Sequence, residues 1–224
     1  MLKLATLLFM IFIAIFLKIV YKMNWSGVLA IITFSLGSYF LYTDTVYYLF
    51  FIAFGGLGVF KLIRQFVTKY EDVNKYSIKT FTVTMCIPLI LGLFRIEELT
   101  PIIFCLLGAL GIDSASGELG QAFKGKSYLL IPFKKVPIGT DGAVSLIGTL
   151  LGLLCGIIYI FGIGLILKID YLLIILIISF LGSLIDSIIG GTLQRKGLIN
   201  NNQNNLLTTI LITIISAVVF LIIL

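Results

Sequence analysis

Residues 171–193 read Tyr-Leu-Leu-Ile-Ile-Leu-Ile-Ile-Ser-Phe-Leu-Gly-Ser-Leu-Ile-Asp-Ser-Ile-Ile-Gly-Gly-Thr-Leu, an apolar run in which Asp186 is the single charged side chain. A helix needs about 20 such residues to cross the hydrocarbon core of a bilayer. A surface helix of a soluble protein would instead carry polar residues along one face. The run therefore predicts a transmembrane helix.

Seven other apolar runs occur along the chain. The 224 residues are 60% hydrophobic and 12% charged, whereas an ordinary soluble domain has about 25% charged residues. We therefore predict an all-α, polytopic integral membrane protein with about eight transmembrane helices (about seven to nine), which forms one membrane-embedded domain over residues 1–224. Pro88 and Pro101 leave open a short, tightly packed hairpin in place of two spans. The predicted spans are 4–20, 26–42, 46–60, 78–94, 99–112, 143–167, 171–193 and 206–224.

The basic residues predict the orientation of these spans. Lysines and arginines concentrate in the odd-numbered loops, and Lys3, Arg95 and Lys168 remain for the other side. By the positive-inside rule the odd-numbered loops are cytoplasmic and both termini lie outside. The longest polar stretch, 113–142, is then a cytoplasmic active-site loop, and the Asn-rich run 200–205 is a flexible loop before the last helix.

The residue inventory excludes several kinds of chemistry. The sequence contains no histidine, which excludes Ser-His-Asp catalysis and histidine-based zinc sites. Cys86, Cys105 and Cys155 lie in apolar runs without CxxC spacing. We interpret them as small buried hydrophobic residues and predict neither a disulfide nor a thiolate metal site.

Three acidic residues fall at one level of the predicted topology. Asp113 ends the fifth span and Asp141 precedes the sixth, both on the cytoplasmic side, while Asp186 lies roughly 12 Å inside the seventh. A carboxylate inside an apolar helix costs at least a few kcal/mol and is a candidate functional residue. Two alternatives stay open: Asp186 is a hydrogen-bonded structural residue, and Thr140 with Asp141 merely caps the next helix.

Small residues form stripes on the sixth and seventh spans. Such stripes usually indicate close helix packing. Two facing stripes beside an acid would also leave a slot for a lipid chain or headgroup. The stripes are Ser145, Gly148, Gly152 and Gly156 on the sixth span, and Gly182, Asp186 and Gly190 with Ser183, Ser187 and Gly191 on the seventh.

The loop 113–142 mixes acids, lysines and glycines, a composition that suits phosphate and Mg²⁺ together. Surface salt bridges are the alternative interpretation. Backbone N–H groups of its glycines could also hold an anion. The stretch 120–127 fits the P-loop pattern GxxxxGK[ST], but an apolar helix precedes it and Pro132 follows, so we predict no P-loop fold.

Three stretches resemble the signatures of one polytopic membrane family, the family that contains phytyl phosphate kinase of the tocopherol pathway. The resemblance covers about residues 100–195 well. The family usually has Asp-Thr-Trp-Ala-Ser-Glu where this chain has Asp113 to Glu118, and Asn where Asp141 stands. The stretches are Asp113-Ser-Ala-Ser-Gly-Glu-Leu-Gly, Phe133-Lys-Lys-Val-Pro-Ile-Gly-Thr-Asp-Gly-Ala-Val-Ser-Leu-Ile-Gly-Thr-Leu and Gly182-Ser-Leu-Ile-Asp-Ser-Ile-Ile-Gly-Gly-Thr-Leu-Gln.

This resemblance implies phosphoryl transfer from CTP or another nucleoside triphosphate to a prenyl monophosphate, with Mg²⁺ as cofactor. The implied partners are these two substrates and the bilayer, without nucleic acid, and a homo-oligomer stays open. Asp113, Glu118 and Asp186 are the implied catalytic residues, joined by Asp141 as metal ligands. The implied nucleotide-binding residues are Lys124, Lys126, Lys134, Lys135, Gly139, Thr140, Asp141, Gly142, Ser145 and Ser187.

Two other functions remain open at the level of the sequence. A lipid cytidylyltransferase would use the same groups but release pyrophosphate and form a CDP-lipid. An ion or solute transporter built around Asp186 is less favoured, because no internal repeat is evident and the acids cluster at one face instead of the midplane.

Overall fold

A computed structural model describes residues 2–21, 32, 35–36, 39–40, 42–50, 52–53, 86–88 and 90–223. Over these residues the chain is mainly helical, with one small sheet. A 3-10 turn, Glu97–Leu99, leads into the second helix, and a π-helical turn, Gly190–Gln194, extends the fourth. The helices with both ends among the described residues are α1 (Leu2–Tyr21), α2 (Thr100–Ala122), α3 (Leu146–Ile166), α4 (Leu172–Ile189) and α5 (Asn201–Ile223).

Four helices of the described residues are long and apolar enough to cross a membrane: Glu97–Ala122, Leu146–Ile166, Leu172–Gln194 and Asn201–Ile223. They overlap the last four predicted spans, and their length and composition suit a helical membrane protein. The predicted spans 26–42, 46–60 and 78–94 are described only in part, so the count of eight stays a prediction.

Helix α2 is the centre of the described bundle. Every residue from Ile102 to Ala109 is buried, and the helix contacts α3, α4 and α5. A helix that is apolar on all sides belongs in the interior of a bundle, since no face favours water. Pro101 lies in its first turn, where a missing N–H leaves no hydrogen bond unmade. The alternative of a short hairpin at 99–112 is therefore wrong for this helix.

The prediction that a loop begins at Asp113 is wrong for residues 113–122, which continue α2. The cause is the packing of small residues between antiparallel helices. A Cβ on Gly152 or Gly148 of α3 would strike Ser116. A Cβ on Gly148 would also lie only 2.9 Å from the Cα of Gly120. In a membrane such close backbone contact drives helix association, so these residues favour a longer helix.

The small stripes of α3 and α4 do not face each other. The α3 stripe lies against α2, with Gly156 on Ile112. Gly182 of α4 lies against Ala109 of α2 and Ile212 of α5. A Cβ on Gly182 would come within 2.9 Å of the Ala109 Cβ and 2.5 Å of the Ile212 Cδ1. The stripes therefore serve close packing, and the predicted slot for a lipid chain between them is wrong.

The remainder of the predicted loop, together with the first residues of the predicted sixth span, folds into a three-stranded antiparallel sheet, a correction to the all-α prediction. The strands are β1 (Ser127–Leu129), β2 (Lys134–Val136) and β3 (Ala143–Ser145), in the order β2-β1-β3. Ser127 pairs with Val136 on one side and Ser145 on the other. The P-loop-like stretch thus runs from a helix into a strand, the reverse of a true P-loop.

Two helix starts differ from their predictions. Helix α3 begins after Ser145, whose hydroxyl accepts a hydrogen bond from the Gly148 N–H at 3.0 Å, so Thr140 and Asp141 are not its caps.

Helix α5 begins at Asn201, and the prediction of a flexible loop at 200–205 is wrong. Asn200 and Gln203 exchange side-chain and backbone hydrogen bonds of 2.8 and 3.0 Å, a capping box that fixes this first turn.

Candidate functional site

Two carboxyl groups meet between parallel helices α2 and α4. Gly108 lies against Ser179 and Ala109 against Gly182, so the two helices advance together towards Asp113 and Asp186. These carboxyls are near enough to interact electrostatically, and the Ser183 hydroxyl donates a hydrogen bond to Asp113. The sequence prediction that both acids lie at one level is consistent with this contact.

Helix α5 completes the surroundings of Asp186. The side-chain amide nitrogen of Asn204 donates to the Asp186 backbone oxygen at 3.3 Å and to its Oδ1 at 3.2 Å. The Thr208 hydroxyl donates to the same Oδ1 at 3.0 Å. Asn204 is 2% exposed, and its Oδ1 has no hydrogen-bond partner among the described residues.

Sequence reasoning missed Asn204 and Thr208, because it placed 200–205 in a flexible loop. One signal was available. Asn204 and Thr208 are four residues apart, so on a helix they share one face. Polar residues on one face of a membrane helix usually point at a polar neighbour, and here that neighbour is Asp186.

The turn before β3 closes against the end of α4. Gly142 has φ +68°, and a Cβ there would strike the backbone of Gly191 and come within 2.5 Å of Gly190. Asp141 is exposed beside this contact. The contact places residues 141–142 next to the π-helical turn, about 6 Å along the helix from Asp186 to Gly190 at 1.5 Å per residue.

The remaining predicted nucleotide-binding residues are spread around this end of the bundle. Gly139 is exposed with φ +83°, and the Thr140 hydroxyl donates to the Pro137 backbone oxygen at 2.8 Å, so both shape a turn. Ser145 caps α3, and Ser187 is half-buried one residue beyond Asp186. Four lysines are exposed, without a described contact to the acidic pair: Lys124, Lys126, Lys134 and Lys135.

The four predicted metal carboxylates do not gather into one cluster. Within the described ranges no three histidine, cysteine, aspartate or glutamate side chains lie together. Glu118 is buried on α2 and Asp141 is exposed, while Asp113 and Asp186 form a pair. Any shared cation site therefore centres on this pair.

The donors at the pair fit Mg²⁺. This ion is bound by one or two carboxylates and keeps water or phosphate oxygens for the rest of its shell. Asp113 and Asp186 supply two carboxylates, and the buried Asn204 oxygen adds a neutral acceptor without a partner. Two like charges in an apolar setting also require a positive partner or a proton between them.

A cleft of about 430 Å³ opens beside the π-helical turn. Gly191 lines it and also contacts Leu129 and Gly142, so the cleft borders the same end of α4. Two exposed cations, Arg195 and Lys196, line its wall, and neither was among the predicted site residues. The lining residues are Ile131, Pro132, Gly191, Thr192, Arg195 and Lys196.

The family profile described as integral membrane protein DUF92 matches residues 6–213, which is nearly the whole chain. The chain belongs to the DUF92 family. The acidic pair and helices α2, α3 and α4 lie within the matched residues, and most of α1 and α5 does as well. The resemblance to the membrane family that contains phytyl phosphate kinase is thereby confirmed at the level of the family.

Three curated proteins are similar to this DUF92 chain. An uncharacterized membrane protein of Methanocaldococcus jannaschii is 34% identical over 120 residues, which are 46% of this chain and 50% of that protein. An uncharacterized membrane protein of Synechocystis is 34% identical over 87 residues, 38% of this chain and 33% of the other. Protein VTE6, chloroplastic, of Arabidopsis thaliana is 55% identical over 42 residues, 19% of this chain and 13% of the plant protein.

The chain thus spans half or less of the length of the curated relatives it matches. No solved structure matches it. The family and its membrane location are established by these similarities.

Proposed function

We propose that this chain is a membrane-embedded prenyl monophosphate kinase, which transfers a phosphoryl group from CTP or another nucleoside triphosphate to a phytyl- or geranylgeranyl-type monophosphate. The observation that carries the proposal is the Asp113–Asp186 pair with its hydrogen-bonded partners. The short stretch of 55% identity to the plant protein supports the same class of reaction. The site would face the cytoplasm, with both termini outside.

The absence of histidine is compatible with this reaction. The acceptor is a phosphate monoester, whose oxygen is largely ionised at neutral pH because its second pKa is about 6. That oxygen attacks the terminal phosphorus, a new P–O bond forms, and the bond to the bridging oxygen breaks to release CDP. Positioning and charge neutralisation do most of the catalytic work.

Asp113 and Asp186 would hold Mg²⁺, whose positive charge offsets that of the phosphate oxygens during transfer. Hydrogen bonds from Thr208 and Asn204 fix one oxygen of Asp186, and Ser183 fixes Asp113. Outer hydrogen bonds of this kind orient metal-binding carboxylates. The two acids are thereby held ready for an ion without rearrangement.

The cleft beside the π-helical turn would receive the nucleotide phosphates. Arg195 and Lys196 supply positive charge there, and an arginine can pair with two phosphate oxygens at once. Gly191, in the wall of the cleft, lies about 7.5 Å along the helix axis from Asp186, at 1.5 Å per residue. The polyphosphate chain would then reach from these cations to the acidic pair.

The test is transfer from labelled CTP by the purified protein in lipid nanodiscs with Mg²⁺. We expect label from the γ-phosphate to appear in a prenyl diphosphate when phytyl or geranylgeranyl monophosphate is supplied. Label from the α-phosphate in the lipid product would instead identify a cytidylyltransferase. No labelled lipid with any of the four common nucleoside triphosphates would reject the kinase.

We predict that Arg195→Ala raises the KM for the nucleotide. Loss of one charge-assisted hydrogen bond of about 1.5–3 kcal/mol corresponds to an increase of about 10- to 100-fold. The kcat should change little, because the residue is several residues away from the acidic pair. Initial rates over a range of CTP concentrations measure both parameters.

Lys168→Ala is the control for this prediction. Lys168 is an exposed cation in the short connection between α3 and α4, at the opposite end of the helices from the cleft. Its removal changes the net charge equally and should leave KM unaltered. A KM for Arg195→Ala within about twofold of the Lys168→Ala value would place the nucleotide elsewhere.

A further inference from the structure

Asn204 holds a buried oxygen that the described fold does not use. The residue is 2% exposed, and both of its recorded side-chain hydrogen bonds start from the amide nitrogen and end on Asp186. Its Oδ1 has no partner among the described residues. A buried carbonyl without a partner costs free energy, and the cost is greater within a membrane.

The orientation of this amide is fixed by its neighbours. Turning the group over would place its oxygen against the Asp186 carboxylate and the Asp186 backbone oxygen, which are both acceptors. Only the amide nitrogen can donate hydrogen bonds to these two oxygens, so the amide oxygen must occupy the other position of the side-chain amide. The free acceptor is therefore a consequence of the hydrogen-bond network around Asp186.

The charge around this oxygen selects the kind of ligand. Asp113 and Asp186 interact as like charges, and no lysine or arginine of the described residues neutralises either carboxyl. The carboxylates of Asp113 and Asp186 and the oxygen of Asn204 come from three helices, which meet one turn away where Gly182 lies against Ala109 and Ile212. A hard divalent cation prefers such a set of carboxylate and carbonyl oxygens.

We propose that Asn204 Oδ1 is the third protein ligand, with Asp113 and Asp186, of a divalent cation. This inference rests on the proposed function in one respect, since the cation is the one that accompanies the nucleotide. Helix α5 thereby closes the site, and the last membrane helix becomes part of the catalytic machinery. Asn204 then has two tasks: its nitrogen orients Asp186 and its oxygen binds the ion.

The experiment measures Mn²⁺ binding by the purified full chain in nanodiscs, from the loss of the free-ion signal in electron paramagnetic resonance. It is run with and without a non-hydrolysable CTP analogue. The variants are Asn204→Ala, Asn204→Asp and, as a matched control, Asn201→Ala. Asn201 is an exposed asparagine in the first turn of the same helix, so its change is chemically identical but lies outside the site.

We expect Asn204→Ala to weaken Mn²⁺ binding by about tenfold or more, and Asn201→Ala to leave it unchanged. Asn204→Asp separates the two tasks of the residue. Aspartate keeps an oxygen but cannot donate to Asp186, so a ligand role predicts affinity at or above that of the wild type. A purely orienting role predicts that Asn204→Asp binds as weakly as Asn204→Ala.

Three results would overturn the inference: wild-type affinity in Asn204→Ala, equal weakness in both Asn204 variants, or no Mn²⁺ binding by the wild type in either condition. If Asn204→Ala fails to fold, the Mn²⁺ affinity of Asn204→Asp relative to the wild type still distinguishes the ligand role from the orienting role. Prenyl diphosphate formation with wild-type Mn²⁺ affinity in Asn204→Ala would reject this ligand and retain the kinase. If Asn204→Ala loses Mn²⁺ binding and the wild type binds Mn²⁺ but forms no diphosphate product, the ion site is retained and the kinase is rejected.

Discussion

Asp186→Asn should lower kcat for prenyl diphosphate formation by at least about 100-fold, the effect of removing one charged group from a preorganised site. The amide keeps the size of the carboxyl but carries no charge for a cation. Turnover of purified protein at saturating CTP measures the loss. The fold should survive, since the change removes one of two like charges that face each other, and the unfolding temperature should stay the same or rise.

The matched control is Asp170→Asn. Asp170 is exposed just before α4 begins, at the other end of the same helix. Its neutralisation makes an identical chemical change away from the pair, and activity should be retained. Near-normal turnover in Asp186→Asn would remove this carboxylate from the site and with it the basis of the proposed function.

The pair should also behave as a unit. Asp113→Asn is expected to cost as much activity as Asp186→Asn, and the double variant should cost no more than either, because groups that act together are not additive. Independent, multiplying losses would instead indicate two separate sites.

Gly142→Ala is expected to lower the unfolding temperature by roughly 5–15 °C, from a combined strain of about 2–5 kcal/mol. Two causes add. The backbone has φ +68°, and the new Cβ would overlap the backbone of Gly190 and Gly191, which cannot move without displacing the end of α4. Activity should fall as well, because this contact adjoins the proposed cleft. Thermal unfolding followed by circular dichroism in detergent measures the effect.

Gly139→Ala isolates the strain of the positive φ from the overlap of the new Cβ. Gly139 has a similar conformation, φ +83°, but a Cβ there meets nothing within 4 Å. Conformational strain alone should cost about 1 kcal/mol, or roughly 2–4 °C. Equal effects of the two substitutions would contradict the close contact between the turn and α4.

The second half of the fold could be predicted largely from its sequence. Runs of apolar residues define spans because the bilayer imposes one length on every helix, and α3 and α4 begin and end within a few residues of their predictions. The errors at 113–122 and 200–205 share one cause. Serine, asparagine and glycine are typical of loops, yet in a membrane bundle they also serve as packing and capping residues.

The site was predictable only in part. An acid inside an apolar run is visible in the sequence, so Asp113 and Asp186 could be singled out, but their contact depends on which helix faces which. Asn204 and Thr208 could not be linked to Asp186 from spacing alone, because 18 and 22 residues separate them. The small sheet arises from cross-strand pairing that a short polar stretch does not reveal by periodicity.

The interior position of α2 bears on how the protein is made. In chain order this helix precedes α3, α4 and α5, so during synthesis it enters the bilayer before the three helices that later cover it. Its apolar stretch from Ile102 to Ala109 is compatible with lipid tails until then. Each newly inserted helix can dock on a helix that is already in place, and lipid is displaced stepwise as α3, α4 and α5 cover α2.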